Sequence, residues 1–111
     1  MIDVVPKSDW KVFRELREVA LERFCLRVIT ELETVLSDDL GAHERYLEAH
    51  RLLRERDRSL SEAFDAPRRS VMLLQLATIS RLDLLTSDEM SRFGAATRQR
   101  VAEIVDLWET P

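Results

Sequence analysis

Residues 8–37 read SDWKVFRELREVALERFCLRVITELETVLS, with no glycine or proline to interrupt them. Apolar residues recur at Phe13, Leu16, Ala20, Phe24, Val28, Leu32 and Val35, a mean step of about 3.67 that suits a nearly straight helix rather than a heptad coil. Ser8 is placed to cap this helix, and Asp9 puts a negative charge in its first turn. The apolar stripe divides. Phe13, Leu16, Ala20 and Phe24 lie along one line; Leu21, Cys25, Val28, Leu32 and Leu36 lie about 100° round the helix from it. The two lines are expected to meet different neighbours.

The rest of the chain continues the helical pattern. Ser37-Asp38-Asp39-Leu40-Gly41 reads as a turn, with Gly41 supplying a left-handed residue. A second helix is expected over Ala42–Phe64, centred on Tyr46, His50, Leu53, Asp57, Leu60 and Phe64. Asp65-Ala66-Pro67 breaks it, since the residue before a proline is pushed from the α region, and Asp65 is placed to cap the next helix. A third helix over Pro67–Leu82 is apolar round most of its circumference, which places it at the centre. Thr86-Ser87-Asp88-Glu89 fits a capping box for a short helix to Phe93. Gly94 ends that helix, and a last one over Ala96–Glu109 carries Val101, Ile104, Val105 and Trp108. The expectation is an all-α bundle of about five helices, two long, one central and two shorter at the C-terminus, in one domain over residues 1–111.

Composition agrees. The chain has 111 residues, 45% hydrophobic and 34% charged, with 2 Gly and 3 Pro, a balance that excludes disordered, collagen-like and many-turned β classes. A net charge of -4 gives no global field for nucleic acid or an anionic membrane. The longest apolar stretch, around Val71–Ala77, falls far short of the roughly 20 residues that cross a bilayer. The lone Cys25 excludes an internal disulfide. The lead, Met1 to Pro6, lacks a basic segment followed by an apolar one, so a cytoplasmic protein is expected.

Asp57 is the most informative single residue, because a carboxylate in the middle of an apolar stripe needs compensation. Arg68 or Arg69, across the Pro67 turn, or an arginine of the first helix would supply it. With His50 on the same line, His50, Asp57, Arg68 and Arg69 form a candidate buried polar site, architectural on the rule that buried charges are paired. A small-molecule site or enzyme around His50 and Asp57 is the sharper alternative. His43, Glu44 and Glu48 do not have the carboxylate-x-x-His spacing of a di-metal bundle. Cys25 lacks an adjacent base. No catalytic residue, cofactor or metal is expected.

The arginines from Arg51 to Arg69 are interleaved with Glu55, Asp57, Glu62 and Asp65, as on a solvated, self-paired face. A degenerate helix-turn-helix over residues 87–108 would present Thr97, Arg98, Gln99 and Arg100 as base readers. Glu103, Asp106 and Glu109 would repel phosphates there, so a DNA-binding regulator is the second reading. The segments Trp10–Glu18, Ala42–Leu47, Glu55–Arg58 and Phe64-Asp65 resemble short bacterial proteins of unknown function. That resemblance spans most of the chain and implies a bacterial cytoplasmic protein, but transfers no site residue.

A first helix of about 28 residues would be about 42 Å long, whereas a compact chain of this length is a sphere roughly 34 Å across. Either the fold is elongated or the helix end packs on another chain. The leading expectation is therefore a non-enzymatic helical protein-interaction module, homodimeric, presenting helix faces to a partner.

Overall fold

The computed structural model describes residues 5–110. Residues 1–4 of the lead, and Pro111, lie outside them. The described chain is all-α: α1 Lys7–Leu36, α2 Ala42–Phe64, a 3-10 turn Arg69–Val71, α3 Met72–Arg81, α4 Ser87–Met90 and α5 Ala95–Glu109.

α3 is the centre. Six of its ten residues, Met72, Gln75, Leu76, Ala77, Thr78 and Ile79, are buried, covering most of its circumference. Phe13, Leu16, Ala20 and Phe24 of α1 join them in the core with Ala63 and Phe64 of α2, Leu84, Phe93 and Val101 of α5. Phe24 meets Phe64 edge to face at 6.0 Å, a favoured ring geometry. Each fully buried side chain of this kind contributes about 1.5–3 kcal/mol.

Several local expectations are corrected. α1 starts at Lys7 behind Pro6, with no side-chain cap; Ser8 lies exposed inside the first turn. Pro6 presets the entry, because its ring fixes φ near the helical value. Gly41 is not left-handed but extended, and precedes α2; Gly94 is extended too and precedes α5, the short α4 having ended at Met90. Among the described residues, the left-handed ones are Ala66 (φ 44) and Asp83 (φ 56), where the path reverses on either side of α3. Asp65 closes α2 rather than capping α3, and Pro67 lies outside α3, which starts only after the 3-10 turn. The capping box is present, Thr86 accepting from the Glu89 N–H and Glu89 from the Thr86 N–H.

The molecule is elongated, at 52 × 31 × 24 Å with a radius of gyration of 16.5 Å, against about 13 Å for a compact chain of this length. The cause is the α1–α2 hairpin. From Ile29 to Glu62 no residue is buried, so this antiparallel pair projects past the core as a two-helix arm. Among the described residues, no helix is long and apolar enough to cross a membrane.

Candidate functional site

The seam of the arm has two unlike sides. On one, arginines tie α1 to the rest of the molecule. Arg23 donates to the Leu84 carbonyl (2.9 Å) and to both carboxylate oxygens of Glu89 (2.6 and 3.0 Å). Arg27 donates to the carbonyls of Leu82 (2.6 Å) and Asp83 (3.1 Å). Arg56 of α2 forks onto Glu31 of α1 at 3.1 and 2.6 Å, the bidentate pairing that guanidinium geometry favours. These contacts leave their mark on the acids. The Arg23 guanidinium, helped by the Thr86 backbone, holds the Glu89 carboxyl down to about 2. The Arg56 hydrogen bond lowers Glu31.

The other side is apolar. A groove of about 210 Å³ runs between the helices, lined by Phe24, Cys25, Val28, Ile29, Leu53 and Leu60, with Arg56 and Asp57 at its edge. Ile29 is 50% exposed, Leu53 42% and, nearer the tip, Leu36 49%. Leu26 and Tyr46 are still more open. Phe24 and Val28 at the inner end of the groove belong to the core; beyond them the arm carries large apolar side chains in water.

The predicted polar site is not assembled. His50, Asp57, Arg68 and Arg69 are all exposed, and no ion pair joins Asp57 to either arginine. Asp57 stands at the rim of the groove, while Arg69 donates to the Val5 carbonyl. The reason lies in α2. Its inward line is Ala49, Leu52, Arg56, Ser59 and Ala63, one residue back from the expected line. Small residues there let the helices approach, and the charge on that line, Arg56, is satisfied by Glu31. The more apolar line through Leu53 and Leu60 faces the open groove. His43 and Cys25 are exposed as well. Among the described residues, no group of three or more His, Cys, Asp or Glu could hold a metal ion.

Residues 87–108 fold as the single turn α4 followed by α5. Of the four base-reader positions, Thr97 is buried, its hydroxyl donating to Asp9 at 2.5 Å, and Arg100 lies 3.7 Å from Glu103. The other Asp9 oxygen accepts the Gly94 N–H at 3.0 Å. Asp9 of α1 is therefore the cap that α5 lacks in its own sequence, a long-range contact with one local signal: Gly94 has no side chain to do that work.

Comparison with protein-family models, with curated proteins and with solved structures finds no match. The surface chemistry of the arm therefore carries the functional reading.

Proposed function

We propose that this chain is a non-enzymatic helical protein-interaction module, working as a homodimer through the apolar flank of the α1–α2 arm. One observation carries the reading: the stretch from Ile29 to Glu62 has no buried residue, yet its open flank carries half-exposed leucine and isoleucine. Two helices alone have no inside in which to bury such side chains, and monomers rarely leave wide apolar patches in water. Covering the open half of Ile29 or Leu53 is worth about 1 kcal/mol each by area. The 23-residue length of α2 corresponds to about 35 Å, and two helices side by side span about 20 Å. α1 runs beside α2 only from Phe24 to Leu36, about 20 Å, so at about 10 Å width per helix the face is about 550 Å², near the lower end for specific interfaces. A reducing, cytoplasmic setting goes with this reading, since the exposed thiol of Cys25 stays free there.

Light scattering on the eluting protein at micromolar concentration tests the proposal. The expected mass is twice the 13.0 kDa of the chain. Leu53→Glu, which adds a charge at an exposed position, is expected to give monomer with unchanged helical circular dichroism. A wild-type mass of one chain sinks the proposal.

A further inference from the structure

α3 is covered on three sides and open on the fourth. Met72, Leu76 and Ile79 face the core beside α1, Gln75 reaches the Asp65 carbonyl at the end of α2, and α5 packs along a third side. The remaining line, Leu74, Thr78 and Arg81 at i, i+4 and i+7, floors a groove of about 430 Å³ whose walls are Glu62 of α2 and Trp108 of α5. Leu74 is 53% exposed and Trp108 41%. Trp108 continues the line on which Thr97 and Val101 of α5 are buried, yet its groove side has no apolar cover. Nine residues separate Leu53 from Glu62, two and a half turns of α2, so the groove lies on the far side of that helix from the apolar flank.

Two of the lining residues are charged. The Arg81 guanidinium stacks over the Trp108 ring at 4.8 Å, and among the described residues no carboxylate or carbonyl engages it; the Glu62 carboxylate has no cationic partner either. Stacking occupies the face of a guanidinium and leaves its N–H edge open to a carboxylate. The Thr78 hydroxyl donates to the Leu74 carbonyl of its own helix, so Arg81 is the donor the floor offers.

We propose that this groove docks an amphipathic helix of another protein, with an aliphatic side chain on Leu74 and Trp108 and a carboxylate on Arg81. The contact is separate from the homodimer flank and does not depend on it. A helix laid over α3 between α2 and α5 completes the shell of helices round α3 at ordinary packing distance. Leu74 and Arg81 are seven residues apart, about 10 Å along the axis, so the aliphatic and acidic residues of the partner are also two turns apart. Glu62 on the opposite wall repels an acid and favours a base at the partner's other edge, which fixes how the helix faces the groove. Tryptophan and arginine are the side chains on which interfaces concentrate binding energy. Two turns of contact make a small interface, of the transient kind.

A phage-displayed library of helical peptides tests this, panned on the wild-type chain after depletion on Leu74→Glu, which adds a charge at an exposed floor position. The enriched sequences are expected to share an aliphatic residue with aspartate or glutamate seven positions on. A synthetic peptide of that sequence should bind Arg81→Ala about tenfold more weakly than wild type, as loss of one charge-assisted pair implies, with unchanged helical circular dichroism. Arg81→Glu should prefer the same peptide with lysine in place of its acid. Monomeric Leu53→Glu should bind the peptide as wild type does, so failure of the homodimer reading leaves this result standing. No enrichment, enriched sequences without the acid, or equal binding to Arg81→Ala overturns the proposal. Self-association that Leu74→Glu abolishes and Leu53→Glu does not would put another copy of this chain in the groove, and overturns it too.

Discussion

Replacing Asp9 with alanine probes the tie between the two ends of the chain. The Asp9 carboxylate is 4% exposed and accepts both the Gly94 N–H and the Thr97 hydroxyl. The amide is at the N-terminus of α5, where partial positive charge favours an anion. Alanine orphans both donors, and Thr97, itself 4% exposed, has little water to turn to. An unsatisfied buried group costs about 1–3 kcal/mol, and a hydrogen bond to a charged group lies at the upper part of the usual range. About 3 kcal/mol is expected in all. At roughly 4 °C per kcal/mol for a domain of this size, the midpoint of thermal unfolding falls by about 12 °C. Asp9→Asn keeps one acceptor for Gly94 and loses the charge, so about 1 kcal/mol is expected. Urea unfolding followed by circular dichroism, at one fixed protein concentration because association shifts the apparent stability, measures both. Glu15→Ala supplies the scale: it breaks a pair with Arg92 that is about half exposed on each side, worth at most about 1 kcal/mol. If Asp9→Ala costs no more than Glu15→Ala, Asp9 does not cap α5 and the reasoning fails.

The seam leads to two further outcomes. The Glu89 carboxyl is held at about 2 in the folded protein against an ordinary 4.5, so its ionised form adds stability that is complete above 4.5 and is lost as pH falls through the folded value; the urea midpoint should decline between about pH 5 and 2, and a Glu89→Gln variant with an equally steep decline over that window would remove Glu89 as the cause. Cys25 lines the apolar groove, so a thiol-reactive probe should modify it at least about tenfold faster in monomeric Leu53→Glu than in the dimer, a ratio that reflects about 1.4 kcal/mol of protection; equal rates would mean that the flank stays open on association.

Helix periodicity and the Thr86–Glu89 capping box were legible because both are written within a few residues of one another, whereas the caps expected at Ser8 and Asp65 do not form. The spacing of Phe13, Leu16, Ala20 and Phe24 needs no knowledge of the neighbours, and the Thr86–Glu89 box closes inside one turn. The central place of α3 was legible too, since only a surrounded helix tolerates apolar residues on every side. The turns were less so. Glycine enters the left-handed region at the least cost, which favours Gly41 in a reading of sequence. The reversals fall at Ala66 and Asp83 because the packing of α3 against both long helices and α5 dictates where the path turns, and a local cost of order 1–2 kcal/mol is small beside that core. Asp9 illustrates the same limit, since its partners lie at the far end of the chain.

The misplaced polar site is the most instructive case. A 3.6-residue period identifies the most apolar line of a helix, and assigning that line to the core assumes that the core is the only apolar environment the helix meets. In α2 the assumption fails. Arg56 lies on the inward line because Glu31 satisfies its charge, while Ala49, Ser59 and Ala63 make room for α1. The line through Leu53 and Leu60 is left on the open flank, with His50 and Asp57 beside it. Polar residues that look anomalous in a buried stripe are ordinary at the margin of a surface. Leu60 already packs against the core; if the arm pairs with a second copy, Leu53 too acquires the apolar surroundings its spacing calls for, and the exposed Asp57 keeps its water.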